Sequence, residues 1–290
     1  MNATSRLERE SSLGEEGAQR VEASPLSGAV SRPDTPVVRS EVRGTALWIT
    51  IDRAERRNAL NPAVIAGLHE ALATVPSRRD VRAVVITGAG DKAFCAGADL
   101  TQGSGVFADS NAAPTTDFGR MARVARELPV PLIVRVNGAC VAGGMGVMAL
   151  CDLAIAADHA RFGLPEAKVG VFPMQVLVYL RRMIHPRYVN ELCFTADLID
   201  AAKAAQWGLV NEVVPLAGLD AAIEALVARI SACSPAALHR GRGVIAEMEA
   251  LDFHPALSYA EAQIALASGT RDAREGLAAF NEKRRPDWLA

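Results

Sequence analysis

The hydrophobic pattern along the chain changes its period several times. TALWITI at residues 45–51 is a short run of apolar and β-branched positions and predicts a strand. After Pro62, Val64, Ile65, Leu68, Leu72 and Val75 recur at helical spacing. RAVVITG at 82–88 predicts a second strand, residues 121–128 a helix, and PLIVRV at 131–136 a third strand. NGACVAGGMGVMALCD at 137–152 reads as a strand end, a turn at Asn137 and Gly138, and a helix from near Gly144; DLAIAA at 152–157 is another strand. Strand, strand and helix in recurring order predict an α/β spiral whose strands are covered on both faces. From about Pro186 onward the pattern is mainly helical, with helices over 219–230, 235–248 and 260–280, a candidate oligomerisation layer. No sequence repeat of fixed period occurs.

The punctuation between these elements sets the organisation. Residues 1–36 are rich in Ser, Glu, Gly and Pro without sustained periodicity and predict a disordered extension. A core then spans 37–235 and a helical layer 236–290. Between the second strand and the next helix, residues 89–117 are rich in Gly, Asp and Ser and predict a long functional loop.

Composition narrows the function classes. Half of the 290 residues are hydrophobic and only 5% aromatic, so Ala, Val, Leu and Ile must build the core, as in α/β enzymes. With 31 basic and 33 acidic side chains and a net charge of −2, there is no broad footprint for nucleic acid. No apolar run is long enough to span a membrane and no hydrophobic signal region begins the chain, so a soluble protein is expected. Glu8, Glu10, Glu15 and Glu16 argue against a transit peptide. The five cysteines lack CxxC spacing and lie mostly in apolar segments, which points to a reducing cytoplasm. The five histidines are scattered, and no metal is expected.

Two turns of glycine and alanine follow predicted strands, AFCAGADL at 93–100 and CVAGGMG at 140–146. Small residues let a carbonyl approach the main chain, and an N–H at a helix start carries a favourable dipole. Two such N–H groups would make an oxyanion hole; taken alone, either turn is weak evidence and is better explained by plain helix or strand packing. Together with IDRAERRNALN at 51–61, VVITGAGDKAFCAGADL at 84–100, ARFGLPEAKVGVFP at 160–173, AAQWGLVNEVVP at 204–215 and FNEKRRP at 280–286, they resemble the crotonase family, the enoyl-CoA hydratases and isomerases. The resemblance covers about residues 40–290.

That resemblance implies a ββα spiral with C-terminal helices that build homotrimers, often paired into hexamers. It implies acyl-CoA substrates and no cofactor beyond the coenzyme A thioester itself. The backbone N–H groups of Ala98 and Gly143 become the oxyanion donors. Coenzyme A would lie along Arg57, Ala59 and the main chain of Ala96, Asp99 and Leu100. Lys283 is either a phosphate contact, from the same or a neighbouring subunit, or a solvated charge at a helix end.

Hydratases of the family use two glutamates to hold a water and move its proton. The second falls on Glu166; the first falls on Gly146, which has no side chain. An apolar pocket would raise the Glu166 pKa, which suits a group that both removes and returns a proton. Met174, Gln175, Val176 and Leu177 stand where many members carry a glycine-rich turn and are expected to reshape the acyl pocket, with Gln175 orienting a substrate group or serving as a plain surface amide. Asp109 and Asp117 are considered as replacement acids. Cys95 and Cys140 border the proposed hole, and buried cysteines of this kind are more often core residues than nucleophiles. Three readings follow: isomerisation or hydration of enoyl-CoA with Glu166 as acid and base; decarboxylation or other enolate chemistry; or a non-catalytic acyl-CoA binder.

Overall fold

A computed structural model describes residues 36–101 and 115–289. The predicted extension, apart from its last residue, and Asp109 lie outside the described residues. Alternate positions of each central strand serve different cores. In β2 (Ala46–Ile51), Leu47, Ile49 and Ile51 enter one apolar cluster while Ala46 and Trp48 enter a second on the opposite face. β3 (Ala83–Gly88) divides its side chains in the same way, Val84 and Ile86 against Ala83 and Val85. Burial on both faces is why these strands read as continuous apolar runs.

With β1 (Val38–Arg43), β5 (Leu132–Val136), β7 (Leu153–Ala157) and β10 (Glu212–Val214), these strands form a six-stranded sheet in the order β1-β2-β3-β5-β7-β10. Only the β1–β2 pair is antiparallel. A smaller sheet, β4-β6-β8-β9, is made of β4 (Ala93–Cys95), β6 (Ala139–Val141), β8 (Arg161–Gly163) and β9 (Ile199–Asp200). Its first three strands are parallel, so the chain ends following β4 and β6 emerge on the same side. That places the two glycine turns together.

Two buried asparagines hold the start of β4. Asn58 donates through Nδ2 to Ala89 O and Ala93 O, and Asn137 donates through Nδ2 to Gly90 O and Ala93 O. Both are 0% exposed, so they supply bonds that water cannot reach.

α1 (Pro62–Ala73) is capped by Asn61, whose Oδ1 accepts from the Val64 N–H; it packs on α2 (Asp117–Glu127). α3 (Gly143–Ala149) follows β6 and contacts α4 (Met174–Met183), which adjoins α5 (Pro186–Thr195). α6 (Ala201–Gln206) leads to β10, and α7 (Leu219–Ser231) covers the second cluster. α8 (Pro235–Met248), α9 (Phe253–Ser268) and α10 (Arg271–Glu282) complete the chain.

Two expectations need correction. The turn at Asn137 and Gly138 leads into β6 rather than directly into a helix, because three residues are enough for a ladder on Cys140 but too few to show alternation. The segment after Pro186 is mainly helical, as its pattern predicts, with only the short β9 and β10 joining one sheet each. The expected helix over 260–280 is two helices broken at Gly269, where the Thr270 side chain accepts from the Ala273 N–H and starts α10. The long loop, too, contains β4.

α8 and α9 have no buried residue, and Ile245, Phe253, Ile264, Leu277 and Phe280 are exposed on the three last helices. Arg242 ties this layer to the core. Its guanidinium donates to the carbonyls of Ala125, Arg126 and Leu128 at the end of α2 and to Asp152 Oδ2.

Candidate active site

The first glycine turn is pinned to the segment before α1. Ala96 N–H donates to Arg57 O at 3.0 Å, Leu60 N–H to Gly97 O at 2.7 Å and Asp99 N–H to Leu60 O at 2.8 Å. Between these, Ala98 N–H has no acceptor among the described residues. The second turn is fixed at α3. A Cβ built on Gly144 would lie 2.3 Å from Cys95 O, so this glycine, more than Gly143, is where close approach demands a bare backbone. Gly143 is half-buried, its N–H also lacks an acceptor among the described residues, and it opens α3 where the helix dipole is positive. A Cβ on Gly143 would stand 3.8 Å from Ala98 N, and one on Gly97 would stand 3.1 Å from Gly143 N. Two amides without an acceptor among the described residues therefore lie close together.

Glu166 sits in a single 3-10 turn, Pro165–Val169, after β8. Its Oε2 is buried without a hydrogen-bond partner. Burial pushes its carboxyl above the ordinary value, while a backbone hydrogen bond acts in the opposite direction. The buried Cys193 thiol on α5 lies close enough to be raised to about 11, by burial first and by the Glu166 charge second. A buried carboxylate oxygen without a partner is an exception that calls for an explanation, and such groups cluster at functional sites.

The position of the absent acid is filled. A Cβ on Gly146 would meet Phe118 Cζ at 2.9 Å and Val176 Cγ2 at 3.2 Å. Phe118 comes from the first turn of α2 and Val176 from the first turn of α4. Gln175 Nε2 donates to Thr116 Oγ1 at 2.6 Å, and the same hydroxyl oxygen accepts from Gly119 N–H to cap α2. The amide thus joins the two helices that supply the wall. Asp117, weighed as a replacement acid, forms an ion pair with Arg120.

The model of the family described as Enoyl-CoA hydratase/isomerase matches residues 41–290. The chain belongs to this family. It is 31% identical over 245 residues to a crotonyl-CoA hydratase of Syntrophomonas wolfei, covering 83% of this chain and 93% of that protein. It is 30% identical to an (E)-benzylidenesuccinyl-CoA hydratase of Thauera aromatica, covering 86% and 97%. Among solved structures, an enoyl-CoA hydratase of Mycobacterium smegmatis superposes with a TM-score of 0.80 at 33% identity, covering 88% of this chain and all of that one.

The residues that the resemblance assigns to coenzyme A lie in different settings. Arg57 is exposed in a left-handed conformation, and Ala59 is buried with its carbonyl accepting from Arg53 Nη1. Ala96 and Ala98 are half-buried, and Leu100 is half-exposed beyond them. The Asp99 carboxylate is committed to Thr101 and Arg53, which hold its pKa below the usual range, so it offers a ligand only main chain. Lys283 caps α10, exposed, and no hydrogen bond or ion pair joins it to either glycine turn. Phe118 lies in no sequence motif, and Arg53 and Ala142, though inside the segments at 51–61 and 140–146, become visible as site residues only through their contacts. Cys95 and Cys140 are fully buried and burial raises both thiols, the first to about 12, as befits core residues. Among the described residues no cluster of three or more His, Cys, Asp or Glu is placed to hold a metal ion, and no helix is long and apolar enough to cross a membrane.

Proposed function

We propose that this chain moves a double bond in an enoyl-CoA ester. The amides of Ala98 and Gly143 donate to the thioester oxygen as a 3-enoyl-CoA loses a C2 proton to the Glu166 carboxylate. The resulting dienolate takes the same proton back at C4, leaving the 2-enoyl ester with no net gain or loss of atoms. Each amide donor contributes roughly 3 to 4 kcal/mol to the enolate-like transition state. The observation that carries this reading over water addition is the apolar wall at Gly146: Phe118 and Val176 stand where a second carboxylate would hold water. The orphaned Glu166 oxygen supports a single acid/base. The relatives above are hydratases by name, and Gly146 is where this chain departs from the two-glutamate pattern.

The same reading lays coenzyme A along the exposed Arg57 and the main chain of Ala59, Ala96, Asp99 and Leu100, with Lys283 meeting a phosphate. Exposed apolar side chains on α8 to α10 support a homotrimer or hexamer. The unpaired cysteines, four buried and Cys233 exposed, agree with a cytoplasmic setting. The test is a direct comparison of 3-enoyl-CoA isomerisation with 2-enoyl-CoA hydration by purified protein. Faster isomerisation, lost in Glu166→Gln, supports the reading; efficient hydration by the wild type overturns it.

A further inference from the structure

Ala142 is the one residue between β6 and α3, and its backbone lies at φ 52° and ψ −126°. This region is nearly confined to glycine, so an alanine there is strained and persists only where its surroundings impose it. Here three contacts do so. Its N–H donates to Gly163 O at the end of β8, and its C=O accepts from Met145 N–H in the first turn of α3, both at 2.9 Å. Its methyl faces Gly97, since a Cβ built on Gly97 would lie 2.5 Å from Ala142 Cβ.

The planar trans peptide between Ala142 and Gly143 turns this into an aiming device. Because the Ala142 C=O points into α3 toward Met145, the antiparallel Gly143 N–H points out of the helix start. The methyl, meanwhile, sets the distance to the turn that carries the Ala98 amide. Gly97 is the reciprocal half, at φ 83°, giving the methyl its place.

We propose that Ala142 is a positioning residue for the oxyanion site: its methyl, seated on Gly97, holds the Ala98 and Gly143 amides in register at the expense of backbone strain. The proposal rests on the oxyanion reading given under Proposed function. A glycine at this position would relax the backbone and leave the seam between the turns free to vary. Misplacing a reacting geometry by a fraction of an ångström costs far more in rate than in binding.

The test compares Ala142→Gly and Ala142→Ser with the wild type. The readouts are isomerase kinetics and the red shift of the ultraviolet band of a bound 2,4-dienoyl-CoA, which reports carbonyl polarisation directly. Ala142→Gly is expected to melt no lower than the wild type, to lose about tenfold or more in kcat with KM changed less than about twofold, and to show a smaller red shift. Ala142→Ser retains Cβ and is expected to keep most of the shift. A wild-type red shift with no difference in Ala142→Gly overturns the positioning role alone. No red shift in the wild type, with the ester bound, overturns the oxyanion reading and this proposal together.

Discussion

Placing a glutamate at position 146 would separate a pocket that merely lacks an acid from one built to exclude it. A side chain there starts 2.9 Å from Phe118 Cζ and 3.2 Å from Val176 Cγ2, closer than a Cβ normally comes to carbon. Removing a helical glycine gains up to about 1 kcal/mol. Forcing the ring and the valine aside costs about 1 to 3 kcal/mol, and burying a carboxylate against them a further 1 to 3 or so. Gly146→Glu alone is therefore expected to lose about 1 to 5 kcal/mol, read as a lower denaturant midpoint at unchanged slope, and to gain no hydratase activity. Phe118→Ala removes the ring and costs about 2 kcal/mol by itself, less than for a fully buried phenylalanine because Phe118 is half-buried. The double variant should be more stable than the two losses added together, by about 1 to 2 kcal/mol, and should hydrate a short 2-enoyl-CoA. The assay is loss of the conjugated thioester absorbance in water. A single Gly146→Glu variant with wild-type stability and clear hydration would refute the wall.

Three further outcomes follow from named contacts. Glu166→Gln should abolish isomerisation; in the wild type kcat/KM should rise with pH through a pKa above the ordinary 4.5, because the base must be ionised. Since the folded Glu166 pKa lies above its unfolded value, the carboxylate destabilises the fold as pH rises through that window, so denaturation of Glu166→Gln should show a relative gain above it and none below. Arg242→Ala should lower stability by about 2 to 3 kcal/mol in chemical denaturation, since it strips donors from three carbonyls at the end of α2 and from Asp152. Gly144→Ala should cost about 3 kcal/mol, because a methyl 2.3 Å from Cys95 O can be accommodated only by moving backbone, and the folded fraction should lose kcat through the displaced Gly143 amide. A Gly144→Ala variant with wild-type kcat would sink that account.

What the sequence makes legible follows from how local each cause is. The central strands are readable because residues such as Val84 and Val85 enter opposite cores, leaving no polar position in the run. β6 is not readable because a three-residue strand gets its identity from the neighbours it pairs with, Cys95 and Phe162, on other parts of the chain. The same division holds in the site. Glu166 and the two glycine turns are carried by short motifs, whereas the orphaned state of Glu166 Oε2 depends on elements distant in sequence. The family resemblance points to Gly146 as the position without its carboxylate, but nothing in the sequence singles out Gly144, where a Cβ would lie 2.3 Å from Cys95 O, as the glycine that close approach requires.

Phe118 is the clearest case of a determinant without a local signature, and it shows why the C-terminal layer matters to the chemistry. One aromatic residue at the start of α2 carries no pattern by itself. It becomes part of the site because α2 is held in one place at both ends. At its start Thr116 accepts from Gln175 of α4, and at its end the carbonyls of Ala125, Arg126 and Leu128 accept from Arg242 of α8. Glu249, following α8, then accepts from both Arg126 of α2 and Arg182 of α4. The two helices that close the space over Gly146 are thus fastened to each other and to the same outer helix. Exposed pairs such as those on Glu249 contribute little stability singly. Their effect here is geometric: they tie α2 and α4 to one another and so hold Phe118 and Val176 against Gly146.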